Sequence, residues 1–506
     1  MPEPFYITTA ISYPNGRPHI GHAYEAIAAD VIARFQRARG RDVRLVTGTD
    51  EHGLKMVQTA RAQGRDTLEF ADEMSNHFRQ MCDDLNISYD AFVRTTEPRH
   101  HRGSIALWKA LEASGDLYLD RYEGWYSVRD EAFYDEGELT EGEGGEKLSP
   151  QGTPVEWTVE ETWFFRLSRY AEPLLKLYAE QPDFIRPEGR RNEVVRFVEG
   201  GLKDLSVSRT SFDWGVRVPG SPDHVMYVWV DALTTYMTGV GYPEREGEFG
   251  RFWPADIHLI GKDIVRFHAV YWPAFLMSAG LPLPRQVFGH GFLLARGEKM
   301  SKSVGNVVDP LELARRYGVD QLRYFLLREI SFGQDGSYSD EAIVSRANAE
   351  LANSFGNLAQ RTFSMIFKNL DGVVPSPGER AEDLALLEEV RAGTSRLHAE
   401  FEQLAFSTGL EAWMGAVFAC NAYVDAAAPW ALRKTDPDRM AEVLGTLAEA
   451  VTLLTKAVEP VVPAAAGKLL SYLEEGRREG RIGQPQPIFP RLELEAAAPA
   501  GAGQAA

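Results

Sequence analysis

Two short clusters in the 506-residue chain combine residue types and spacing suited to handling a polyphosphate. The first is Pro18-His19-Ile20-Gly21-His22. Residues three apart share one face of a helical turn, so the imidazoles of His19 and His22 project together. A helix N-terminus at this point offers unpaired N–H groups to phosphate, and Gly21 lets a nucleotide approach closely. The same two histidines could instead cap the helix or bind a metal. The second cluster is Lys299-Met300-Ser301-Lys302-Ser303, with Gly305 beyond. Two ammonium groups on a short loop with small neighbours can close over polyphosphate and stabilise charge as it develops. An exposed basic turn would have the same composition.

The elements that must position these clusters can be read from local pattern. Phe5-Tyr6-Ile7-Thr8-Thr9-Ala10 is rich in β-formers and reads as a strand. Tyr13 to Pro18 is turn chemistry, and a helical pattern runs from His19 to Arg39, ended by Gly40. Val43 to Thr47 reads as a second strand. Strand, helix and strand predict a parallel α/β sheet, in which ligands bind beyond the carboxyl ends of strands. Near Tyr122 the pattern changes to short strands with many Gly and Glu, which reads as an inserted module. The α/β pattern resumes at Val225-Met226-Tyr227-Val228-Trp229-Val230, and a further strand, Ile257 to Ile260, leads into Gly261-Lys262-Asp263. From about Asp340 to about Glu475 the periodicity is helical, with breaks at Pro429, Pro460 and Pro463, and predicts a bundle. An Ala/Pro/Gly-rich tail follows Leu492 and is expected to be disordered. The expected divisions are a split α/β domain at 1–115 and 225–325, an insertion at 116–224, a linker at 326–345, a helical domain at 346–491 and a tail at 492–506.

Composition narrows the function classes. A formal net charge of −19 argues against indiscriminate nucleic-acid binding, DNA included, which runs on accumulated positive charge. RNA binding by a local surface stays open, and the stretch from Arg186 to Arg209 offers either such a surface or a solvated basic face. The only cysteines, Cys82 and Cys420, support neither a disulfide framework nor a thiolate metal cluster. With no signal-peptide pattern and no apolar run of about 20 residues, a cytoplasmic protein free of the membrane is expected.

Taken together and in this order, the two clusters resemble the HIGH and KMSKS signatures of class I aminoacyl-tRNA synthetases, whose nucleotide-binding α/β fold is split by an insertion. Four further blocks resemble the methionyl-tRNA synthetase family: Ala10 to Gly16, Gly48-Thr49-Asp50-Glu51-His52-Gly53, Val228 to Ala232, and Gly261 to His268. The resemblance runs from Phe5 to the segment Pro487–Arg491. It implies activation of methionine by ATP, with magnesium, and transfer of methionine to its tRNA. His19, His22, Lys299 and Lys302 would then act on the phosphates. Gly21, Glu25, Gly261, Asp263, Met300, Ser301 and Ser303 would lie at ATP. Asp50 would hold the substrate ammonium, with Arg209 closing or positioning the site. Ala10, Ile11, Tyr13, Trp229, Ala232, Leu233, Tyr236, Ile264, Phe267 and His268 would form the side-chain pocket, where a polarizable thioether packs well against aromatic rings.

The resemblance also places anticodon reading on Asn353, Asn357, Arg361 and Trp430, the first three at i, i+4 and i+8. Amides and a guanidinium can bond to exposed base edges, and an indole can stack an unpaired base. The chain departs from many relatives in the insertion. Where they carry Cys-x-x-Cys pairs for zinc, it has Ser127 and Asp130, and no cysteine near Leu148 to Gly152. A zinc-free knuckle held by packing and turns is expected, and a monomer, since the extra C-terminal module of some relatives is missing. Competing readings are a class I synthetase for another amino acid, a small-molecule nucleotidyltransferase and a non-catalytic tRNA-binding paralogue.

Overall fold

The β-rich opening run forms strand β1, Pro4–Thr9, buried from its second residue onward. It is the centre of a six-stranded sheet. In chain order the other strands are β2, Asp42–Thr49; β3, Ala91–Arg94; β4, Ile185–Arg186; β5, Ile257–Gly261; and β6, Val287–His290. Their spatial order is β3-β2-β1-β5-β6-β4, and all five pairings are parallel. Ile7 lies opposite both Leu45 and Ile257, which registers the middle of the sheet. Helix α1, Ile20–Ala38, is the crossover from β1 to β2 and buries an alanine-rich face, including Ala23, Ala26, Ala29 and Ala33. Helices α2, Pro98–Ala113, and α3, Val228–Thr238, pack against each other in the same unit.

The computed structural model describes residues 2–130, 132–142, 144–295 and 307–494. The chain divides into two compact units, Met1–Phe292 and Leu293–Ala506.

Two features of the first unit differ from the local reading. The apolar run at Val225 divides: Ser221–Met226 is a strand in a small antiparallel sheet, and Val228 begins helix α3. A short apolar run carries no period that separates a strand from a buried helix. The insertion holds long strands, Leu117–Ser127 and Glu156–Phe165, paired antiparallel from Leu117↔Phe165 to Tyr126↔Glu156. It also returns β4 to the parallel sheet, where Ile185 lies opposite Val287.

The second unit is helical. Its members include α4, Asn357–Asn369; α5, Ala381–Glu402; α6, Phe406–Ala427; α7, Pro429–Thr435; α8, Pro437–Val458; and α9, Pro463–Glu479. Prolines open α7, α8 and α9, where a missing N–H costs nothing. Helices α5 and α8 are joined by an ion pair between buried Asp383 and Arg439. Asp383 accepts from Arg439 Nη1 at 2.5 Å and Nη2 at 2.7 Å, and from the Tyr423 hydroxyl. Burial works against the charge on Asp383, but the bonds from Arg439 and Tyr423 outweigh it and hold the carboxyl below its ordinary range. Arg439 also pairs with Glu442 at 2.9 Å and with Glu382 at 3.1 Å, so loss of Asp383 removes its most buried partner and the acceptor of the Tyr423 hydroxyl. Asp383→Ala is therefore expected to destabilise the full-length protein by about 1–3 kcal/mol, read as a lower urea midpoint for the helical unit. An unchanged midpoint would show that the pair contributes little.

Candidate active site

Helix α1 begins at the first chemical cluster. His19 is its N-cap, with extended backbone (φ −122°, ψ 173°), and His19 Nδ1 accepts from the Gly21 amide at 3.0 Å. His22 Nδ1 reaches back to accept from the His19 amide at 3.1 Å. The two imidazoles thus form a reciprocal capping box, their ring centroids 3.9 Å apart. The capping alternative is realised, and it shapes the chemistry. A ring that accepts at Nδ1 carries its proton at Nε2, so each histidine is set as a donor at its far nitrogen. A Cβ on Gly21 would lie 2.8 Å from His19 Cε1, so a larger residue would displace the folded-back ring.

Behind the helix start, Glu25 Oε2 lies 2.8 Å from His290 Nε2, at the end of β6. Burial lifts the Glu25 carboxyl. Burial opposes charge on His290, but the Glu25 bond and charge outweigh it and raise the imidazole above its ordinary value. Gly261 ends β5, and a Cβ there would meet Asp263 Oδ1 at 2.7 Å. His22, Glu25, Ala10, Ser12 and Gly48 line one small cavity at the ends of β1 and β2.

The residues expected around a methionine side chain gather on α3 and on a π-helical turn, Phe267–Tyr271. Trp229 stacks on Phe267 with centroids 3.8 Å apart and planes within 6°. His268 Nδ1 faces the Ile264 carbonyl at 2.9 Å and so donates, which leaves Nε2 to accept from the Tyr236 hydroxyl at 2.6 Å. Burial lowers His268 to about 4, so it stays neutral near pH 7. Ala232, Leu233 and Tyr236 are buried, while Ala10, Trp229 and Ile264 form a half-buried margin on the same core. Asp50 follows β2 directly, and its amide donates to Ser12 O at 2.9 Å.

Other predicted residues have further contacts of their own. Tyr13 accepts from the Met56 amide at 2.9 Å and packs with Trp214 on a satellite cluster around Met56 and Phe70. Ile11 is half-buried on the same turn. Arg209 is 2% exposed, with Cζ 4.6 Å from the Tyr227 ring centroid and 4.7 Å from that of Phe133. It therefore belongs to no basic surface. Of that basic stretch, Arg190 and Arg191 pair with Glu193 and Glu188 on their own helix. Lys299, Met300, Ser301, Lys302 and Ser303 lie outside the described residues.

In the helical unit, Asn353 and Asn357 are exposed and line one groove with Gln360 and the segment Pro487 to Arg491. Asn353 sits on a second π-helical stretch, Ala347–Gly356, which passes into α4. Arg361 Cζ lies 5.4 Å from the Trp430 ring centroid, and Trp430 is 49% exposed. The indole is thus presented to solvent and not stapled into the core. Both π-helical stretches carry predicted site residues, in keeping with the enrichment of such turns at functional sites.

In the insertion, Ser127, Asp130, Ser149 and Thr153 converge. Asp130 Oδ2 accepts from Ser149 and Thr153 hydroxyls, both at 2.6 Å, and from Tyr134 at 3.0 Å. The Ser127 and Thr153 hydroxyls are 2.6 Å apart. A hydroxyl–carboxylate network, and not only packing and turns, holds this knuckle. Local pattern also missed Glu51, fully buried and held by Arg94 at 2.7 and 2.9 Å, and the contact of His52 with Asp231. The only local signal was their place in the Gly48–Gly53 block.

Comparison with known proteins gives consistent matches over 97% of the chain. Residues 5–363 match the model for tRNA synthetases class I (M), and residues 374–484 match that for the anticodon binding domain of methionyl tRNA ligase. The methionine–tRNA ligase of Brucella suis biovar 1 is 55% identical, over 97% of this chain and 98% of the relative. That of Mycobacterium bovis is 57% identical, over 97% and 98%. The structure of Mycobacterium tuberculosis methionyl-tRNA synthetase in complex with methionyl-adenylate is similar, with TM-score 0.94, 55% identity, and coverage of 97% of this chain and 100% of that one.

The buried histidines make stability pH-dependent. His258 donates from Nδ1 to Thr8 Oγ1 at 2.7 Å and accepts at Nε2 from Trp272 at 3.2 Å, and burial holds it well below its ordinary value. Between pH 6.5 and pH 4 the unfolded chain takes up protons that folded His268 refuses, so stability falls with pH. The loss from His268 alone is roughly 3 kcal/mol by the end of that window. Urea unfolding followed from pH 7 to pH 4 should show this decline, with a shallower slope in His268→Gln; equal slopes would exclude His268 as the source.

Proposed function

We propose, for a chain that belongs to the class I methionyl-tRNA synthetase family, that it uses ATP to activate methionine and then loads it onto tRNA. The observation that carries this reading is the match of 97% of the chain to a methionyl-tRNA synthetase structure bound to methionyl-adenylate. The stacked Trp229 and Phe267 and the Tyr236–His268 pair supply the aromatic, weakly polar surface that a thioether needs.

In the first step a methionine carboxylate oxygen bonds to the α-phosphorus of ATP, and the bond to the bridging oxygen breaks to release pyrophosphate. Asp50 takes the substrate ammonium. Nε2 of His19 and of His22 donates to the phosphates at the positive end of α1, where charge develops in the transition state. Gly21, Gly261 and Asp263 border the nucleoside, Asp263 accepting from ribose hydroxyls, and Glu25 braces this wall through His290. Lys302, aided by Lys299, stabilises the departing pyrophosphate, with Met300, Ser301 and Ser303 at ATP. Arg209, enclosed by aromatic rings, supports the site from the insertion. In the second step a terminal ribose hydroxyl of tRNA attacks the methionyl carbonyl and AMP departs. Asn353, Asn357 and Arg361 bond to anticodon edges, and Trp430 stacks an unpaired base.

Magnesium would enter with ATP and supply neutralisation of phosphate charge. Among the described residues no three His, Cys, Asp or Glu side chains gather to hold a metal ion. The hydroxyl-rich set at Ser127, Asp130, Ser149 and Thr153 lacks the thiolates and imidazoles of a structural zinc site. The proposed molecule is a zinc-free, cytoplasmic monomer. Among the described residues no helix is long and apolar enough to cross a membrane.

Exchange of labelled pyrophosphate into ATP tests the reaction across all twenty amino acids. Methionine alone should support exchange, and Lys302→Ala should lower it by at least 100-fold. Trp430→Ala should lower kcat/KM for tRNA by about 10–100-fold, the worth of one base stack. Exchange with a different amino acid would keep the class and overturn the pocket assignment. Elemental analysis and sedimentation should return less than stoichiometric zinc and a single concentration-independent monomer; bound zinc or a stable dimer would refute those two points.

A further inference from the structure

Asp231 is 1% exposed and lies between two imidazoles. Its Oδ2 is 2.5 Å from His52 Nδ1, and its Oδ1 is 2.6 Å from His100 Nε2. Ser104 Oγ donates to Oδ1 at 3.2 Å, and Thr238 Oγ1 lies 3.0 Å from His100 Nδ1. Burial works against the Asp231 charge, but His52 and His100 outweigh it and hold the carboxyl well below its ordinary range. An ionised carboxylate that accepts from both rings makes short, stiff bonds.

The partners come from three places in the fold. His52 is two residues beyond Asp50 on the loop after β2. Asp231 is on α3, between Trp229 and Ala232. His100 is on α2. The loop is gripped from its other side as well: buried Glu51 receives Arg94 at 2.7 and 2.9 Å and Thr96 Oγ1 at 2.6 Å. Trp214 Nε1 donates to the Glu51 carbonyl at 2.6 Å. Glu51 thus fastens the loop to β3, and His52 fastens it to α3.

We propose that Asp231 is a positioning residue that fixes the separation between Asp50 and the α3 side-chain pocket, and thereby the length of amino acid that fits. The inference rests on the assignment of Asp50 to the substrate ammonium and of α3 to its side chain. One methylene changes binding by only about 1–3 kcal/mol, so discrimination by length needs a rigid spacing between the two ends of the substrate. Asn in place of Asp231 would turn an NH2 group toward one of two ring N–H donors, and one tie would be lost.

The test compares the full-length wild type with Asp231→Asn and His52→Asn in pyrophosphate exchange, using methionine, its S-ethyl homologue and homocysteine. KM for methionine should rise at least 10-fold while KM for ATP stays within 2-fold. The preference for methionine over the two analogues should fall at least 5-fold in either variant. His52→Asn leaves the Asp231–His100 contact in place and serves if Asp231→Asn does not fold. Unchanged methionine KM and analogue preference would overturn the proposal. So would a parallel loss in both KM values and kcat with a lowered Tm, the mark of a role in folding alone. Exchange by the wild type with an amino acid other than methionine, or with none, would overturn the functional reading beneath the proposal.

Discussion

Parallel strand pairing is the constraint on which the site depends. Because β1, β2, β5 and β6 run the same way in register, their carboxyl ends arrive at one edge of the sheet. Each delivers a residue of interest there: Ala10 after β1, Asp50 after β2, Gly261 and Asp263 at β5, and His290 at the end of β6. The crossover geometry sets the start of α1 beside them, with its unpaired amides and its two histidines. Local chemistry is assembled by register, and no single loop carries the site alone.

A second layer of polar contacts holds that edge in shape. Two buried carboxylates in this unit are matched, Glu51 by Arg94 and Asp231 by two imidazoles. Neutral buried rings are fixed in tautomer by one donor and one acceptor, as His258 is by Trp272 and Thr8. A partner removed from such a set leaves an unsatisfied group in a dry interior, which is why the polar contacts constrain geometry more than their net stabilisation suggests.

Much of this was legible in sequence where signals are local. The His19–His22 spacing, the β-formers of β1, the parallel α/β pattern and the proline-marked helix starts all follow from short-range rules. What was hidden depends on distance along the chain or on geometry without a distinct period. Val225 to Val230 reads as one apolar run, yet its residues divide between strand and helix. The two π-helical stretches keep a helical sequence pattern while changing the residues per turn, so Phe267, His268 and Asn353 gave no warning of their setting. Arg209 looked like part of a basic face because aromatic rings far away in sequence enclose it. Asp231 finds His52 from 179 residues away, and no window of local sequence contains both.

The knuckle in the insertion has a chemical consequence of its own. Ser127, Ser149 and Thr153 gather around Asp130 through hydroxyl and carboxylate groups that peroxide does not oxidise. The two cysteines of the chain are buried elsewhere, and burial pushes each thiol up to about 12, which suppresses the thiolate form on which sulfur reactivity depends. The two cysteines thus offer little thiolate nucleophilicity, and the hydroxyl–carboxylate knuckle holds its shape without recourse to either of them.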